Sequence, residues 1–109
     1  MNDKLNNNRG SYGIINDIEV FAKENLEIDV ILKGYWPNPS WEMVDKKVNF
    51  NVEKEIIEVF IIGKSNGKLS LQVLKKFEYR FVVKIPFSGS WSIRGVFQNG
   101  YKEKKIVVN

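Results

Sequence analysis

Between Leu71 and Gly100 the chain reads LQVLKKFEYRFVVKIPFSGSWSIRGVFQNG. Phe77, Tyr79, Phe81, Val83 and Ile85 fall on one side of an extended chain. Lys76, Glu78, Arg80 and Lys84 fall on the other, with Val82 the only apolar exception. Successive side chains of a strand point to opposite faces, so this period of two predicts a strand with one buried face. After a break at Pro86–Gly89 the period returns, with Trp91, Ile93, Gly95 and Phe97 alternating with Ser90, Ser92, Arg94 and Val96. Two strands cannot cover their own apolar faces, and the flanking segments supply the rest.

Downstream, Asn99-Gly100 is a turn signal leading into a last strand, roughly Lys104 to Val108. Upstream, Gly63 to Ser70 (GKSNGKLS) is a loop centred on Asn66-Gly67, preceded by the β-branched run EIIEVFII, Glu55 to Ile62. Glu53–Lys54 marks a two-residue hairpin turn, although neither residue is a favoured type there. Before it, Lys47 to Glu53 alternates, and Trp41 to Val44 belongs to the same strand with a bulge expected at Asp45–Lys46. Leu26 to Gly34 (LEIDVILKG) puts Leu26, Ile28, Val30 and Leu32 inward and Glu27, Asp29 and Lys33 outward. Ile14 to Phe21 (IINDIEVF) is an irregular edge strand, and residues 1–13, polar and Asn-rich, form a poorly ordered arm. Residues 14–109 therefore make one domain of about seven strands without a helix. Turn signals at this short spacing predict an all-β, immunoglobulin-like antiparallel β-sandwich.

Composition narrows function mostly by exclusion. The 109 residues are 43% hydrophobic and contain neither cysteine nor histidine. That removes disulfides, thiolate chemistry, the commonest general base and the commonest metal ligand, so no enzyme activity, cofactor or metal is expected. The carboxylates, for instance Glu42 with Asp45 or Glu53 with Glu55, sit at surface positions with nothing to desolvate them. No run approaches the roughly 18–20 apolar residues of a membrane span, and residues 1–13 lack the apolar core of a signal peptide. The compartment stays open between a secreted or envelope location, if a signal has been removed, and the cytoplasm. Net charge is +4, divided as −4 over residues 1–60 and +8 over residues 61–109.

Two features carry the functional candidates. GYWPNPSW, Gly34 to Trp41, packs Tyr35, Trp36 and Trp41 into a segment stiffened by two prolines. Either it is a binding platform for a protein or a glycan, or one Trp enters the core while the others close a loop. Trp41, which opens a strand pattern, is expected inside, and Trp36, next to Pro37, is expected in solvent. Trp91, in the middle of a clean alternation, is a core residue. The second feature is the basic second half, where Arg80, Lys84 and Arg94 lie on the outward sides of neighbouring strand patterns. It offers a surface for nucleic acid or anionic lipid, yet lysines on strands also keep sheets soluble and block edge pairing. No nucleic-acid motif accompanies them, so nucleic acid is the disfavoured partner. A further alternative is self-association through an exposed edge strand.

The spacing also resembles a group of small prokaryotic immunoglobulin-like β-sandwich domains of uncharacterised function, many in secreted or lipid-anchored proteins. Gly34, Pro37, Asn38 and Pro39 match its Gly-x-x-Pro-Asn-Pro-Cys segment, and Gln72-Val73 and Phe77-Glu78 match its middle. Gly89, Trp91 in a Tyr place, Ile93 and Asn99-Gly100 match its end. Both cysteine places carry serine, Ser40 and Ser70. If the family cysteines pair, the resemblance implies that Ser40 and Ser70 have Cα atoms within about 7 Å, the reach of a disulfide. Together these readings point to a non-enzymatic interaction or structural module, with the Gly34–Trp41 loop as its first candidate site.

Overall fold

The computed structural model describes residues 11–68 and 71–109. They form eight strands: β1 (Ser11–Tyr12), β2 (Ile14–Ala22), β3 (Glu27–Trp36), β4 (Trp41–Asn51), β5 (Ile56–Ser65), β6 (Lys75–Lys84), β7 (Gly89–Phe97) and β8 (Gly100–Val108). The smaller sheet runs β2-β3-β6 and the larger β4-β5-β7-β8, with β1 paired to β5 beyond the end of β7. This is the all-β sandwich of seven long strands that the alternation predicts. One pairing departs from a purely antiparallel pattern: Ile56–Phe60 of β5 runs parallel to Ser92–Val96 of β7. The reason is connectivity, since the chain crosses to the smaller sheet as β6 and returns, so two reversals separate β5 from β7.

Alternation places the core. Ile28, Val30, Leu32 and Trp36 of β3, with Phe77 and Val83 of β6, face Ile57, Val59 and Ile61 of β5 and Trp91 and Ile93 of β7. Trp91 is fully buried, as its phase requires, and donates its indole N–H to the Phe87 carbonyl at 3.1 Å. Removing a buried side chain of this size costs about 3–5 kcal/mol. Along one flank β2 packs against β8, and along the other β4 faces β6.

Local details differ from the sequence reading where turn chemistry decides. The β4–β5 hairpin is a four-residue loop, Val52–Glu55, closed by Glu55 N–H to the Val52 carbonyl, with Glu55 at φ 55°. Glu53–Lys54 lacks the glycine or asparagine that a tight turn needs, so the chain takes the longer route. The β7–β8 turn centres on Gln98–Asn99, and β8 starts at Gly100. The bulge in β4 falls at Val44 rather than at Asp45–Lys46. Leu26, expected as a strand residue, lies with Asn25 at the head of the β2–β3 turn, both near φ 60°. Ser11 and Tyr12, assigned to the arm, pair with Gly63 and Ile62, and Tyr12 lays its ring 5.2 Å from that of Phe60. Residues 1–10 of the expected arm lie outside the described residues.

One close approach holds this end of the sandwich together. A Cβ on Gly63 would sit 2.2 Å from the ring of Trp36, so the indole occupies space that only glycine leaves free. Gly63→Ala is expected to lower stability by about 3 kcal/mol through overpacking, read as a drop in the urea midpoint at unchanged slope.

Candidate functional site

The Gly34–Trp41 segment contains the aromatic cluster, but the cluster is turned inward. β3 does not stop at Gly34; it continues in register with β6 as far as Trp36, which pairs with Lys75. Trp36 therefore keeps the inward phase of Ile28, Val30 and Leu32 and is fully buried. This corrects the expected exposure of Trp36. Trp41, expected inside, is half-buried and stacks over Trp36 at 5.9 Å and 12°. Phe77 lies 5.3 Å from Trp36 and 4.7 Å from Tyr79, and the Trp36 indole donates to the Tyr79 hydroxyl at 3.3 Å. Tyr35, the outward neighbour, is half-buried on the opposite face of the smaller sheet. The three predicted residues do not form one platform. The missed signal was phase: Trp36 stands eight residues after Ile28, an even step along the strand.

The loop itself is built for rigidity. Asn38 accepts the Ser40 backbone N–H at 3.0 Å and the Ser40 hydroxyl at 2.6 Å. Because that proton is spent, Ser65 donates its own hydroxyl to Ser40 Oγ at 2.8 Å. The Asn66 N–H reaches the Ser40 carbonyl at 3.0 Å, and the Lys75 ammonium caps the Trp41 carbonyl at 2.7 Å. The loops after β3 and β5 are thereby tied together. Ser70 lies outside the described residues, so the expected Ser40–Ser70 proximity does too.

The basic residues are also separated. Arg80 and Lys84 lie on the outer face of the smaller sheet and Arg94 on the outer face of the larger, because β6 and β7 belong to different sheets. Sequence adjacency had suggested one surface. Arg94 is bound to Glu103 at 2.7 Å and lies 4.3 Å over the Tyr101 ring, and the hydrogen bond to Glu103 raises its pKa above the ordinary arginine value. On the smaller sheet, charges of the first half stand across the ladder from opposite charges of the second: Glu27 lies opposite Lys84, and Lys33 opposite Glu78. Lys33 binds Glu19 at 2.8 Å, which with the attraction of that carboxylate raises its pKa. A raised lysine pKa lends stability below the ordinary value and loses it as pH climbs through the raised one. Opposite charges from the two halves thus stand side by side on this sheet.

What the sequence reading did not find is a flank. Fourteen large apolar side chains are exposed among the described residues. Eight lie on the edge strands β4 and β6 or in the segments next to them: Met43, Val44, Phe50 and Val52 on or beside β4, Leu71, Val73 and Leu74 on the approach to β6, and Val82 in the outer row of β6. Leu71, at 74% exposure, is the most open of them. A hollow of about 510 Å³ lined by Asn49, Phe50, Asn51, Val52, Glu53 and Glu58 lies at the hairpin end of β4, away from Trp41. Among the described residues no group of acidic side chains converges to hold a metal, and no helix is long and apolar enough to cross a membrane. The signal for the flank was present as Val82, the apolar exception in its strand, and as the LQVL run before it. No protein family, curated protein or solved structure matches the chain.

Replacing both Ser40 and Ser65 by cysteine is expected to give a disulfide on air oxidation, since their Oγ atoms already touch. Closing that loop would add about 3 kcal/mol, measured as a higher thermal midpoint that falls back on reduction.

Proposed function

We propose that this chain is a non-enzymatic protein-interaction module whose contact surface is the flank between β4 and β6, not the Gly34–Trp41 loop. The observation that carries this reading is the concentration of exposed apolar side chains there, eight of the fourteen. Surface apolar residues scattered singly need no explanation, whereas a run along one flank with charged residues beside it is the composition of a contact surface. Here Lys46, Lys47, Arg80 and Lys84 provide the charged surround. The buried Trp36 takes its indole out of the alternative glycan platform, which leaves Tyr35 and Trp41 half-buried on different faces. The separation of Arg80 and Lys84 from Arg94 weighs against a continuous anionic-surface binder. The likeness to prokaryotic sandwich domains fits this reading and adds no activity to it.

The test is capture from source-cell extracts with two folded variants. Phe50→Ser with Val82→Ser strips the flank, and Phe21→Ser with Val107→Ser strips the opposite one, where β2 meets β8. A partner retained by wild type and by the second variant, and lost from the first, is the expected result. Retention by the first variant, or loss from the second alone, would refute the assignment.

A further inference from the structure

A sandwich of two open sheets has four strand edges, and natural sheets guard such edges with bulges, charges or covering elements. Here β2 is broken by a register shift between Ile15 and Asp17, and β4 by one between Met43 and Asp45. The edge of β8 lies on the flank where β2 packs against it. β6 differs: it pairs with β3 over ten residues, Lys75 to Lys84, without a shift. Among the described residues nothing pairs with its other edge. A straight strand of this length presents a regular row of backbone donors and acceptors.

The side that is already paired displays the chemistry β6 accepts. Glu27 stands opposite Lys84 and Lys33 opposite Glu78, while on the inner face Val30 and Leu32 stand opposite Phe81 and Tyr79. Two cations are left without a carboxylate across the ladder, because Arg80 stands opposite Ile31 and Lys76 opposite Tyr35. β4 hangs over the inner face on the same flank: the Lys46 ammonium lies 5.0 Å above the Phe81 ring, and Met43 and Phe50 remain open beside it. A strand laid along β6 would slide its inward side chains under β4 and bring its outward ones beside Lys76, Arg80 and Lys84.

Building on the interaction reading above, we infer that the free edge of β6 takes an extended segment of the partner protein as a fourth strand of the smaller sheet, apolar residues alternating with acidic ones. Main-chain hydrogen bonds would supply affinity, and the alternate side chains specificity. Glutamates opposite Lys76, Arg80 and Lys84, a neutral residue opposite Val82 and a lysine opposite Glu78 complete the match.

The probe is a synthetic nonapeptide, acetyl-Glu-Val-Thr-Ile-Glu-Val-Lys-Ile-Glu-amide, titrated into the full isotope-labelled chain while backbone amide resonances are followed. Shifts confined to β6 and the inner face of β4 are expected. A counterpart with every charge reversed should bind about tenfold more weakly, and should regain affinity for the Arg80→Glu, Lys84→Glu variant. Counterparts N-methylated on either set of alternate residues identify backbone pairing, since one of the two must lose binding. Binding that survives both methylations overturns strand addition, and binding indifferent to charge reversal overturns the acidic assignment. No shift at about 1 mM peptide overturns the inference altogether. In each of these cases, partner capture that still depends on Phe50 and Val82 leaves the interaction module standing.

Discussion

The contact on which this end of the molecule depends is the indole of Trp36 against the bare backbone of Gly63. Trp36 belongs to the smaller sheet and Gly63 to the larger, so the absence of one Cβ lets two layers close over a side chain of the largest kind. From that position the ring stacks on Trp41, meets Phe77 and donates to Tyr79. The same glycine pairs with Ser11, so β1 is held at the end of the sandwich by the residue that admits the tryptophan. Packing at interior density leaves no slack around such a group, and a single added methyl is felt across both sheets.

Burial of the aromatic cluster moves the functional question elsewhere. A proline-stiffened loop with three large aromatics reads as a presentation surface, yet here its rigidity serves attachment. Asn38, Ser40 and Ser65 form a hydrogen-bonded chain, and Lys75 ties the start of β6 to the start of β4. This clamp sets where β6 begins and lays it on the same flank as β4. Met43, Phe50 and Val82 are then held on two strands whose near ends are fastened together. A surface ordered in advance loses less entropy on binding.

Electrostatics follow the same logic of assembly. The acidic first half and basic second half do not make two poles, because β3 of the first lies beside β6 of the second. Opposite charges directly across a ladder stabilise it and like charges destabilise it, so charge patterning selects the neighbour of a strand as well as its solubility. Glu27 with Lys84, Lys33 with Glu78, and Arg94 with Glu103 are the pairs that result. The cations left over lie in the outer row of β6, on an edge.

The alternation at Phe77–Ile85 and Trp91–Phe97 was sufficient to establish strands, two layers and a core that includes Trp91, because a period of two has only one structural meaning when one face is apolar. The edge position of β2 and a bulge in β4 were also legible from irregular pattern. Trp36 was misplaced because Pro37 suggested an earlier end to β3; the phase of the strand, running through Gly34, outweighed the proline that followed it. The β4–β5 turn widened where no glycine or asparagine stood at the needed place. Tertiary structure alone decided which strands are neighbours, that β5 and β7 run parallel, and that Arg94 faces away from Arg80 and Lys84. It alone brought β4 and β6, with Met43, Phe50 and Val82, onto one flank. Local alternation tells each side chain inside from outside, but sheet membership is set by long-range pairing, and no local period encodes it.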